Sequence, residues 1–146
     1  DLTSADLRYT WLHVAWLNGA NLTGSNLNGA YLPGANLHDA NLSGAEMIYS
    51  YLRYATLHDA NLNSADLRGA NLTYATLTGA DLSGADLNNA DLSGANLTYA
   101  TLTGADLSGI IWYGTICPDG ANSDDNGNTC ENNLYASGGS QYPAYL

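Results

Sequence analysis

Every fifth residue from Leu2 to Leu107 is leucine, with Met47 the one substitution and no slip in register. Alanine stands two residues before nearly every one, replaced by the small Thr10, Ser25 and Ser50, and the residue between is mostly Asp or Asn. A five-residue period fits neither the turn of about 3.6 residues of an amphipathic helix nor the two-residue alternation of a strand. A short fixed period is the mark of a solenoid, whose units bury their apolar faces only by stacking on their neighbours. Such a chain has a filled interior, and a catalytic cleft is not expected.

A second period sets the coil. Leu37-His38-Asp39-Ala40 recurs as Leu57-His58-Asp59-Ala60, Tyr54 recurs as Tyr74, and Thr78 as Thr98, each 20 residues on. Trp11, Tyr31 and Tyr51 form an aromatic series at that step, and Asn21, Asn41 and Asn61 another. Columns of this kind arise when residues one coil apart lie one above the other, about 4.7–4.9 Å away. The segment from Asn71 to Ala85 nearly repeats as Asn96 to Ile110. That step of 25 reads as a duplication footprint, since any multiple of five preserves the inward pattern.

The motif A-(D/N)-L-x-x, carried by runs such as Ala80-Asp81-Leu82-Ser83-Gly84 and Ala95-Asn96-Leu97-Thr98-Tyr99, resembles the pentapeptide-repeat family over about three quarters of the chain. The resemblance implies an all-β fold: a right-handed, quadrilateral parallel β-helix of about five to six coils, one pentapeptide per side. The central Leu and the preceding Ala then point inward. That family often places Phe at the centre; this chain has none, so the core should be narrow and uniform. Each buried leucine contributes about 1.5–3 kcal/mol, and stacked Asn side chains can add amide ladders.

The repeat is expected to span residues 1–112, with a different, irregular unit at 113–146. Cys117 and Cys130 bracket an Asn/Asp/Gly-rich stretch, and Tyr135, Tyr142 and Tyr145 follow. With no third cysteine to compete, a Cys117–Cys130 disulfide is expected; closing such a loop contributes about 3 kcal/mol. It points to an oxidising compartment, extracellular or periplasmic, and the bracketed end resembles that of secreted bacterial pentapeptide-repeat proteins. No stretch is apolar enough to span a membrane. The sequence opens at Asp1 without an initiator Met, which suggests a processed chain.

The net charge of −11 comes from 14 acids against three arginines. Direct nucleic-acid binding is disfavoured, because phosphate contacts need a basic footprint. On the 20-residue coil Asp6, Glu46, Asp66, Asp86 and Asp106 share one outward column, interrupted by Asn26. Family resemblance offers a DNA-mimicking inhibitor of a type II topoisomerase. The plainer reading is a solvated consensus position, and it is preferred because Arg8 and Arg68 flank the stripe and the tail is not helical in character.

His38 and His58 share another column, with Asp39 and Asp59 beside them; two imidazoles and two carboxylates suit zinc or copper. Both pairs project outward on a plain face, so a copied repeat accounts for them as well. Between the cysteines, Asp119, Asn122, Asp124, Asp125, Asn126 and Asn128 could offer calcium their oxygens, although Thr129 stands where an EF-hand needs Gly. A turn-rich structural loop is the alternative.

Aromatic placement departs furthest from the consensus. Trp11, Tyr31 and Tyr51 form an outward ladder, Tyr9 and Tyr49 are expected to stack at the adjoining corner, and Tyr54 lies close by. A contiguous aromatic patch marks an interface, with a protein or with the rings of a glycan; ladders that merely stabilise the coil are the alternative. No nucleophile–base pair or pocket is legible, so the chain is read as no enzyme. The expected role is structural: a secreted solenoid assembling head to tail into a filament, its uncapped N-terminal edge meeting a neighbour's Tyr-rich tail. A monomeric protein- or glycan-binding module and the topoisomerase-inhibiting mimic are the alternatives.

Overall fold

A tight turn after each leucine builds the solenoid. In a computed structural model, which describes residues 1–131, the N–H three residues after a leucine donates to that leucine's carbonyl, as Ser25 does to Leu22 at 3.0 Å. The third residue of the turn is left-handed, with positive φ at every fifth position from Ser4 to Gly114. Positive φ at that place alone defines a type II turn. Glycine fills many of these corners without strain. Tyr9, Val14, Tyr49 and Tyr54 do so at a cost of about 1–2 kcal/mol each.

Between turns one residue per pentapeptide pairs in parallel with the residue 20 further on. Asp6↔Asn26, Trp11↔Tyr31, Trp16↔Asn36 and Asn21↔Asn41 begin four such ladders. The coil therefore has four sides, named here for Asp6, Trp11, Trp16 and Asn21. The expected β-helix takes an unexpected form: the described residues hold isolated single-residue bridges and no regular strand. A left-handed residue at every fifth position leaves too short an extended stretch for a strand to form.

The backbone accounting explains the consensus Asp or Asn. Around each coil the ladder uses the leucine N–H (Leu22 to Asn41 O, 2.7 Å), the corner N–H (Gly24 to Ser43 O, 2.9 Å) and the bridge N–H (Asn41 to Ala20 O, 2.9 Å). The residue after each leucine is left with a free donor. Every Asn or Asp at the bridge position accepts that N–H through its own Oδ1, as Asn21 does from Thr23 and Asp86 from Asn88. This is the Asx turn, a side chain standing in for a backbone acceptor. Of the ten bridge positions without Asn or Asp, two are compensated by proline. Where Tyr31 and Ile116 occupy the bridge, Pro33 and Pro118 follow the inward residue and have no N–H to satisfy. Where Glu46 does, Asn28 of the coil before supplies the acceptor for Ile48 N–H at 2.7 Å.

Central leucines from Leu22 to Leu102, with Met47 and the alanines beside them, are buried in one continuous core. Leu2, Leu7, Leu12 and Leu17 are half-buried against it. The inward register runs past residue 112: Trp112 and Cys117 take the central position, buried, and Ile116 still pairs with Asn96. The chain then reverses. Cys117 N–H donates to Ala121 O and Ser123 N–H to Thr115 O, both at 2.8 Å, while Asn122 pairs antiparallel with Ile116. A short 3-10 helix, Ser123–Asn126, follows, its first turn capped by the Asn122 side chain. The Cys117–Cys130 disulfide, with Cα atoms 5.3 Å apart, ties this lid to the last inward position. Tyr135, Tyr142 and Tyr145 lie outside the described residues.

Candidate functional site

The Trp11 side carries the aromatic ladder. Ring centroids of Trp11 and Tyr31 are 4.9 Å apart at 48°, and those of Tyr31 and Tyr51 5.8 Å apart at 50°. At the corner shared with the Trp16 side, Tyr54 and Tyr74 stack at 5.2 Å and 14°. Arg53 lays its guanidinium 4.7 Å from the Tyr54 centroid and donates to the Tyr54 hydroxyl at 3.1 Å, a cation–π contact that holds the pair. The Tyr54 and Tyr74 rings are stacked and spend those faces on one another, whereas the Trp11, Tyr31 and Tyr51 rings are tilted and leave aromatic surface exposed.

The opposite corner of that side differs from expectation. Tyr9 and Tyr49 do not stack on each other, because they stand two coils apart with Gly29 between them. The Tyr9 ring leans over Gly29, and Tyr49 leans over Gly69; a Cβ on either glycine would fall on the ring. Shallow notches open beside them, one lined by Tyr9, Asn28, Gly29, Ile48 and Tyr49. Two exposed residues beyond the ladder's other edge, Val14 and Trp16, escaped the sequence reading. For Trp16 the available signal was the one that marked Trp11, an aromatic where the repeat wants Asn or Asp; for Val14 it was a β-branched residue at the position that the repeat often gives to Gly.

On the Asp6 side the acidic column forms as the coil required, but it is partly neutralised. Arg8 holds Asp6 through two bonds, at 2.8 and 2.7 Å, and Arg68 holds Asp66 the same way while its Nε lies 3.6 Å from Asp86. The Arg8 guanidinium, with help from the Arg8 N–H, pulls the Asp6 carboxyl down from 3.8 to about 2. Arg68 likewise lowers Asp66, and the Ser108 hydroxyl and N–H lower Asp106. Asp66, Asp86 and Asp106 each also accept their own turn's free N–H.

His38 and His58 stack at 5.1 Å and 11°. Their Nδ1 atoms lie 3.0 and 2.9 Å from the carbonyls of His58 and Thr78 in the next coil. Each Nε2 faces its own neighbour, Asp39 or Asp59, at 3.1 Å. The residues form two side-by-side pairs rather than one four-ligand centre. Among the described residues no group of three or more His, Cys, Asp or Glu is placed to hold a metal. In the lid, Asp124 accepts from Gly114 N–H at 2.7 Å and Asp119 from Ala121 N–H at 2.9 Å. Both carboxylates serve the backbone that closes the solenoid.

A family model described as pentapeptide repeats matches this chain in 8 copies, over residues 15–48, 50–89 and 77–111. No curated protein matches it. Among solved structures it is similar to HetL, a pentapeptide repeat protein involved in heterocyst differentiation regulation from the cyanobacterium Nostoc sp. strain PCC 7120. Identity there is 36%, covering 82% of this chain and 62% of HetL, with TM-score 0.55. A pentapeptide repeat protein of the Arabidopsis thaliana thylakoid lumen is 28% identical over 66% of this chain and 67% of its own, with TM-score 0.64. QnrB1, a plasmid-mediated fluoroquinolone resistance protein, is 21% identical over 74% of this chain and 65% of its own, with TM-score 0.54; that likeness concerns the fold alone. These neighbours imply that the β-helix is right-handed.

Proposed function

The chain belongs to the pentapeptide-repeat family, and from that premise we propose that it is a non-enzymatic interaction solenoid that associates with copies of itself in an oxidising, extracellular compartment. The observation that carries this reading is the confinement of exposed aromatic side chains to two adjoining sides and their corners. Contiguous apolar surface of this kind is costly in water unless another macromolecule covers it. The Cys117–Cys130 disulfide supports the compartment, because thiols stay reduced in a cytosol. The leucine-filled interior supports the absence of catalysis, since it leaves no enclosed recess for chemistry among the described residues. Assembly along the axis into a filament would have to use an end that the lid of residues 118–130 partly covers, so contact through the sides is preferred.

The topoisomerase reading rests on the acidic column and is weaker by charge density. From Asp6 to Asp106 the column climbs five coil steps, about 24 Å at the spacing of paired strands. With Asp6 and Asp66 held by arginine, three carboxylates remain, one per about 8 Å, against one charge per about 1.7 Å of duplex DNA. Sedimentation of the oxidised protein over a wide concentration range, beside a gyrase supercoiling assay, tests both readings. Concentration-dependent association without inhibition is expected. A protein that inhibits supercoiling and stays monomeric would transfer the function to the acidic side.

A further inference from the structure

The first coil is unlike the others. Tyr9, Trp11, Val14 and Trp16 stand on successive corners and sides with 62–84% of their surface exposed. Val14 adds a second anomaly: a β-branched residue at φ 48°, where its side chain crowds the backbone and glycine would be free of strain. Strain held at an exposed apolar site is a reason to look for function there. Tyr31 and Tyr51 continue the same surface upward through the ladder. Charge is nearly absent from it, with Arg53 beside the Tyr51 and Tyr54 rings the one full charge that it meets. Residues 9–38 contain no Asp, Glu, Lys or Arg in a chain of net charge −11. Seven of the ten solenoid acids lie on the other two sides, and the Trp11 and Trp16 sides carry only Asp91.

We infer that this nearly uncharged arc, running from the Tyr9 corner across the Trp11 side to Trp16, is the surface on which a second copy of the chain docks, arc against arc. The inference rests on the self-association proposed above and names its surface. Two copies this acidic repel wherever their Asp6 or Asn21 sides approach. Arc-to-arc contact turns those sides away from each other, so like charges are kept farthest apart. The area is of the order an interface needs. At about 150–250 Å² per aromatic side chain, the exposed fractions of Tyr9, Trp11, Trp16, Tyr31 and Tyr51 leave about 500–800 Å² to bury per copy. A standard interface buries about 800 Å² per partner. Because the same patch serves both copies, the contact closes on itself as a two-fold pair and does not propagate.

Sedimentation velocity of the full chain, with Trp11→Ser/Trp16→Ser, Val14→Gly and Tyr99→Ser variants, tests the assignment. Every substituted side chain points outward, and Val14→Gly relieves strain, so circular dichroism should match the parent throughout. The parent should be a dimer whose association tightens as salt screens the acidic sides. The double tryptophan variant should raise the dissociation constant at least about a hundredfold, since each residue is lost twice per pair. Val14→Gly should weaken pairing to a lesser degree. Tyr99→Ser, on a corner outside the arc, should change nothing. A parent that associates equally well without Trp11 and Trp16 would overturn the arc while sparing self-association. A parent that stays monomeric would overturn both, and its binding to phosphatidylcholine vesicles would assign the arc to a lipid surface instead.

Discussion

Substituting two glycines that look alike in sequence should give different results, and the difference measures the corner packing. Gly44 and Gly69 both sit at the left-handed corner, with φ 63°. A Cβ on Gly44 meets nothing within 4 Å, whereas one on Gly69 falls on Cε1 and Cδ1 of the Tyr49 ring. Gly44→Ala therefore pays only the left-handed penalty of about 1–2 kcal/mol, less about 0.4–1 kcal/mol recovered from a stiffer unfolded chain. Gly69→Ala pays that and must also expel the ring. Tyr49 is 70% exposed, so the remainder, about 50–75 Å² of an aromatic side chain, is what it buries against the corner. At about 25 cal/mol/Å² the loss is about 1–2 kcal/mol beyond the Gly44 value. Urea unfolding followed by circular dichroism measures both, and repeating Gly69→Ala in a Tyr49→Ala background closes the cycle. The extra cost should vanish there. Equal costs for Gly44→Ala and Gly69→Ala in the parent would mean that Tyr49 does not cover Gly69, and the account of the corner would fail.

Other outcomes follow from the same structure. Asp86→Asn keeps an Oδ1 for Asn88 N–H and should leave stability unchanged, while Asp86→Ala orphans that donor and should cost about 1 kcal/mol by urea midpoint. Leu62→Asp places a carboxylate in a fully buried site and should cost about 3–5 kcal/mol or abolish folding; a variant melting within a few degrees of the parent would show that Leu62 does not face inward. Reduction of Cys117–Cys130 should open the lid and lower stability by about 3 kcal/mol, visible as faster amide exchange at Cys117 and Ser123 with the middle coils unchanged; two free thiols in protein purified without reductant would remove the case for an oxidising compartment. Because Asp6, Asp66 and Asp106 have lowered pKa values in the fold, they stabilise it fully above the unfolded value of about 3.8. That contribution is lost as pH falls toward the folded values, about 2 for Asp6. A urea midpoint that falls between pH 4 and 2, and falls less in Arg8→Ala/Arg68→Ala, is the expected result.

The inward column was legible residue by residue, because which side chain faces the core is decided within one pentapeptide and the period repeats it without error. The 20-residue columns were legible too, since Trp11–Tyr31–Tyr51 and His38–His58 already stand in register along the chain. What a side chain meets one coil away was not. Tyr9 rests on Gly29 rather than on another tyrosine, Asn28 serves Ile48 where Glu46 has displaced the usual acceptor, and the second His–Asp pair stands beside the first without joining it. Each depends on a rotamer and a neighbour 20 residues distant, which a local pattern does not encode. The role of the cysteine loop is of the same kind: in sequence it read as a turn-rich loop or a set of calcium ligands, and the structure adds that Asp124 and Ser123 accept the Gly114 and Thr115 N–H groups of the last coil. The sequence by itself determined a tower with a leucine core and acid on its flanks. The tertiary structure decided which two sides stayed nearly free of charge, with only Arg53 and Asp91 on them, because coiling gathers the aromatic columns onto one arc and most carboxylates behind it.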